Sequence, residues 1–77
     1  MNSLKCGDEV AVLPQMGAAP RDVLDIAIVA YAGSHLIEVA DGRIFYADDG
    51  RSFHDMQDEC IVPATEVHRS AFRAKLH

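Results

Sequence analysis

The feature that most constrains this chain is a pair of apolar runs across residues 25–46, broken by Gly33-Ser34 and closed through Asp41-Gly42. In the first run, residues 23–32, Ile26, Ile28 and Ala30 alternate with Ala27, Val29 and Tyr31. Period-two alternation reads as a strand, and a strand apolar on both faces is central in a small barrel or covered by another element. A helix is the rival reading, but the β-branched content and the glycine stop favour a strand. The second run folds back on itself at Asp41-Gly42, a dipeptide suited to a tight hairpin. As a two-residue turn it sets Ala40 opposite Arg43, Val39 opposite Ile44, Glu38 opposite Phe45 and Ile37 opposite Tyr46. Ile37, Val39, Ile44 and Tyr46 then share the core face, while Leu36, Glu38, Arg43 and Phe45 share the other.

The flanking segments supply the rest of a β fold. Glu9-Val10-Ala11-Val12-Leu13 is a short strand that Pro14 ends, because proline cannot donate to a sheet ladder. Residues 14–21 read as an irregular loop. Asp49-Gly50 makes a second turn, after which Arg51-Ser52-Phe53 pairs briefly, and residues 54–59 form a polar loop. Ile61-Val62 is a last short strand, ending at Pro63. Thr65 caps a helix over about residues 66–76 with Glu66 in its first turn. His68, Phe72 and Leu76 form one stripe that docks on the barrel, and Glu66, Arg69 and Arg73 form a solvated one. The expected architecture is mainly β: a small SH3-like five-stranded barrel over about residues 7–63, then a short C-terminal α-helix, in one domain spanning 1–77.

Seventy-seven residues bury only about 60% of their unfolded surface, so the core is small. Apolar residues make up 49%, enough for a globular fold. No apolar run approaches the roughly 18 residues of a membrane helix. The start, Met1-Asn2-Ser3-Leu4-Lys5, lacks the apolar centre of a signal peptide, so the expectation is a cytoplasmic protein without membrane association. Cys6 and Cys60 are then expected as free thiols, although pairing of the first and last strands would bring a bridge within reach.

The net charge of −5 is unevenly spread. Residues 1–63 carry eleven acids against Lys5, Arg21, Arg43 and Arg51, a net −7; residues 64–77 carry Arg69, Arg73 and Lys75 against Glu66, a net +2. Asp48, Asp49, Asp55, Asp58 and Glu59 concentrate acidity before the last strand. Such a surface repels phosphate backbones and suits a basic groove on another protein.

No motif names a reaction. Neither cysteine has a flanking catalytic signature, and Ser34-His35 are neighbours that a strand or turn points apart, so no enzyme is expected. Cys6, Cys60, His35, His54, His68 and His77 lack the close pairing of zinc ligands. A calcium loop would need acids where Phe45 and Ala47 stand before Asp49-Gly50. No metal and no cofactor are expected.

Gly7-Asp8-Glu9-Val10 resembles the opening strand of SH3-like barrels. Asp41-Gly42-Arg43-Ile44-Phe45, then Asp49-Gly50-Arg51, then Ile61-Val62-Pro63-Ala64-Thr65 with His68-Arg69, is similar to a pattern in small phage and prophage proteins. The similarity covers residues 35–76. It implies a phage-type inhibitor or modulator, anti-CRISPR-like, that binds a host nucleic-acid-handling or defence complex. The expected contact residues are Asp48, Asp49, Asp55, Asp58 and Glu59, with Phe45 as an anchor unless it packs under the C-terminal helix. One alternative is a nucleic-acid-binding module that uses Arg69, Arg73 and Lys75. Another is a structural protein that forms homodimers or larger homo-oligomers through an open strand edge at Glu9–Leu13.

Overall fold

The computed structural model describes residues 4–53 and 58–76. Its strands are β1 (Glu9–Leu13), β2 (Asp25–Ala32), β3 (Leu36–Val39), β4 (Ile44–Tyr46) and β5 (Cys60–Pro63), followed by α1 (Glu66–Lys75). They form one antiparallel sheet in the order β4-β3-β2-β1-β5, curled into a half-barrel. Arg51 and Ser52 bridge its two edges: Ser52 lies opposite Phe45 and Arg51 opposite Cys60. The brief pairing read at Arg51-Ser52-Phe53 is this bridge. The strand reading of residues 23–32 holds from Asp25, and a single 3-10 turn (Pro20–Asp22) interrupts the loop before it.

Curling gives the sheet two apolar faces. Val10, Val12, Ala27, Val29, Ile37, Val39, Phe45 and Ile61 fill the concave one. Ala11, Leu13, Val23 and Cys60 cover the convex side of β1 and β5, where Ile26, Val62, Ala71 and Phe72 pack against them. Full burial of each large side chain here contributes about 1.5–3 kcal/mol. β1 is therefore buried on both faces and paired on both edges, with β2 and with β5. The open edge expected at Glu9–Leu13 does not exist, and self-association through it is excluded.

The Asp41-Gly42 hairpin differs from expectation by one residue. Leu36 faces Tyr46, Ile37 faces Phe45 and Glu38 faces Ile44. Val39 N–H donates to Arg43 O, and Gly42 N–H donates to Val39 O, which makes a three-residue loop of Ala40-Asp41-Gly42. Gly42 takes φ +97°, the left-handed position that this longer loop requires and glycine supplies without strain. A one-residue slip exchanges the faces of β4. Phe45 is consequently 1% exposed in the concave core, not an anchor and not under the helix, while Tyr46 turns outward.

A second irregularity lies in β2. Val29 faces Val39, but the next pair is Tyr31 with Glu38, so Ala30 is an extra residue in a β-bulge. Simple alternation places Tyr31 with Ala27 and Val29 on the core face. The bulge turns Tyr31 out and returns Ala32 to the core side.

α1 begins as expected at Thr65. Thr65 Oγ1 accepts a long bond from the His68 backbone N–H at 3.4 Å, and His68 Nδ1 accepts from Thr65 N–H at 3.1 Å. His68 is therefore buried as half of a reciprocal cap, the role usually filled by Glu or Gln. Phe72 and Ala71 pack on the convex cluster, whereas Leu76 is exposed beyond the last turn. Arg69 Nε donates to Glu9 Oε1 at 3.0 Å, and Lys75 Nζ donates to Val23 O at 2.7 Å, so α1 docks on its own sheet.

Both cysteines are free. Cys60 lies opposite Leu13 at the far end of β1, while Cys6 precedes Glu9. At about 3.3 Å per residue, β1 alone separates those ends by about 13 Å, too far for a bridge.

Candidate partner-binding surface

Two acids of the expected contact surface, Asp48 and Asp49, are held by local structure. Asp49 Oδ1 accepts from Arg51 N–H at 3.0 Å, and Asp48 Oδ1 accepts from Asp49 N–H at 2.9 Å. These side chains build the turn at Gly50 as well as charging it. Asp58 is exposed, and Asp55 lies outside the described residues.

Glu59 is in a different place from the turn. Antiparallel pairing of residues 50–52 with 59–61 puts Asp49 beside the Ile61 end and Glu59 beside Ser52. The four described carboxylates therefore do not form one patch: Asp48 and Asp49 lie at one end of the bridging segment, and Asp58 and Glu59 at the other. Glu59 Oε1 is instead 3.9 Å from Arg43 Nη1.

Arg43 is the centre that sequence reading missed. Its Nε donates to Asp41 Oδ2 at 2.7 Å and its Nη2 to Asp25 Oδ2 at 3.0 Å, with Glu59 on the third side. Asp25, Asp41 and Glu59 come from the start of β2, the hairpin loop and the lead into β5. One guanidinium therefore ties three separate parts of the sheet together. Its hydrogen bond to Asp41 raises the Arg43 pKa, and the same bond holds Asp41 below the usual carboxylate value. The only sequence signal was that Arg43 is a lone cation among the acids of residues 22–49. Among the described residues no group of three His, Cys, Asp or Glu is placed to hold a metal ion. Among the described residues, Asp25, Asp41 and Glu59 converge only through Arg43, which lies between them.

The basic stripe of α1 is similarly occupied. Arg69 contacts Glu9 and lies 3.8 Å from Glu66, while Arg73 Nη2 donates to Glu66 Oε1 at 2.9 Å. Lys75 is bound to the Val23 carbonyl. A phosphate contact at any of the three would compete with a bond within the chain.

α1 packs against the 3-10 turn and β2 and not on β3 or β4, which leaves the convex side of β3, β4 and the Tyr31 end of β2 exposed among the described residues. Tyr31, Tyr46 and Phe53 all stand exposed there. Comparison of the chain with protein-family models, curated proteins and solved structures returns no match. Among the described residues, no helix is long and apolar enough to cross a membrane.

Proposed function

We propose that this chain is a non-enzymatic binding protein on a small SH3-like barrel, which inhibits or modulates a nucleic-acid-handling or defence complex by offering carboxylates to its Lys- and Arg-lined surface. The observation that supports this reading is the fate of the cations. Arg43, Arg69, Arg73 and Lys75 are engaged by acids or a carbonyl of the same chain. The surface that remains carries the net charge of −5 mainly as carboxylates at turns and sheet ends. Charge of that sign steers association toward basic surfaces and speeds it at low salt.

The test uses substitutions that remove charge while keeping the turn. Asp48→Asn and Asp49→Asn retain side-chain acceptors for the local hydrogen bonds, so thermal stability stays within a few degrees. Together they weaken the complex with the captured partner at least about tenfold. Arg69→Ala with Arg73→Ala leaves it unchanged. Unaltered affinity in the asparagine double variant would refute a role for these turns. Loss of a salt-dependent DNA or RNA shift in the arginine double variant would favour the nucleic-acid module.

A further inference from the structure

We propose that the uncovered face of β2–β4 docks a protein segment presenting an arginine between apolar residues, with Glu38 receiving the guanidinium. This rests on the reading of the chain as a binding protein, and it adds a contact separate from the acidic turns.

The face is defined by strand register. Tyr31 lies opposite Glu38, and Glu38 lies opposite Ile44. Phe53 N–H donates to Ile44 O, which extends the row by one member. Leu36 and Tyr46 pair one step along on the same face. Tyr31 is 62% exposed, Phe53 42% and Tyr46 39%, so three rings meet solvent around one carboxylate. Contiguous exposed apolar surface on so small a protein marks an interaction site more often than scattered single residues do.

All three rings are supported. Tyr46 and Phe53 stack at 5.6 Å between centroids, tilted by 52°. A Cβ added to Gly33 would come within 3.0 Å of Tyr31 Cε2, so glycine is what lets the Tyr31 ring lie against the β2–β3 turn. Rigid aromatics lose little conformational entropy on binding, which is why tyrosine serves well at interfaces.

The charge of the occupant follows from what surrounds Glu38. The cations that flank β4 are committed elsewhere: Arg43 to Asp25, Asp41 and Glu59, and Arg51 to Asp49 at 3.7 Å. The Glu38 side chain makes no hydrogen bond or ion pair among the described residues. A second copy of the chain would bring another Glu38, and another net charge of −5, to the same face. A cationic segment satisfies the carboxylate instead. Arginine fits better than lysine, since its planar group stacks on aromatic rings while bonding a carboxylate in bidentate fashion.

The experiment selects from a displayed library of random twelve-residue peptides on the immobilised full chain, then titrates the enriched peptides into the isotope-labelled protein by NMR. The expected outcome is enrichment of an arginine flanked by apolar residues, with shift changes centred on Tyr31, Glu38 and Tyr46. Glu38→Gln and Tyr31→Ala each weaken that binding at least about tenfold while the unbound spectrum keeps its dispersion. Peptides without a cation, or binding insensitive to Glu38→Gln, would overturn the proposal. If the shifts map to Asp48 and Asp49 instead, this proposal fails and the acidic-turn reading stands. If no peptide is enriched at all, both fail. A concentration-dependent dimer that Tyr31→Ala dissolves would make a second copy the occupant and overturn the proposal as well.

Discussion

Adjacent residues Phe45 and Tyr46 provide a direct test of the hairpin register. Phe45 is 1% exposed among Val10, Ile37, Val39 and Ile61, whereas Tyr46 is 39% exposed and rests on Phe53. Phe45→Ala loses the transfer energy of the ring and leaves a cavity, together about 3–5 kcal/mol. At about 0.05–0.15 kcal/mol per residue, a chain of 77 residues has about 4–12 kcal/mol in total. Tyr46→Ala forfeits an exposed ring pair, about 0.5–1.5 kcal/mol. With a urea dependence of about 1 kcal/mol/M for so small a chain, the midpoint falls by about 3 M or more for Phe45→Ala. For Tyr46→Ala it falls by about 1 M. Phe45→Leu, at roughly 1–2 kcal/mol, keeps the measurement open if the alanine variant does not fold. The assay is urea unfolding followed by circular dichroism. A greater loss for Tyr46→Ala than for Phe45→Ala would refute the three-residue loop and restore the two-residue register.

Three further outcomes are expected. Thr65→Ala removes one half of the reciprocal cap with His68, costing about 1 kcal/mol and lowering the melting temperature by about 4–8 °C in a thermal scan. A thiol reagent modifies Cys6 in the native chain and both cysteines in urea, because Cys60 is buried and its thiol pKa is pushed up by burial and then by Asp49; rapid native reaction of both would contradict this packing. Asp41, its pKa lowered by the hydrogen bond from Arg43, contributes stability that is fully present above the unfolded carboxylate value, about 3.9, and is lost as pH falls through its lower folded value; carboxyl NMR should show its titration moving up toward that value in Arg43→Ala.

Much of this fold was readable from the chain because local signals and burial agree. β1, the Thr65 cap, the break at Gly33 and the brief pairing of Arg51-Ser52 each rest on a turn residue or a short apolar alternation. The misreadings share a cause, which is that parity along a strand depends on single inserted residues. One extra loop residue at Ala40 exchanged Phe45 with Tyr46, and one bulged residue at Ala30 sent Tyr31 outward. Period-two reading has no way to count either. The candidate surface was harder still, since Asp25, Asp41 and Glu59 meet at Arg43 only after the sheet curls. The acids near residues 48–59 are compact in sequence, yet pairing of the strands sets Asp48 and Asp49 at one end and Glu59 at the other.

The central claim, binding to a basic protein surface, is tested most directly by affinity capture of the tagged full chain from a cell lysate after nuclease treatment. Mass spectrometry would identify the bound species, and calorimetry at low and high salt would follow. The account predicts one stoichiometric protein partner that survives nuclease, with an affinity that weakens as salt rises. Capture that vanishes with nuclease would contradict it and make nucleic acid the ligand.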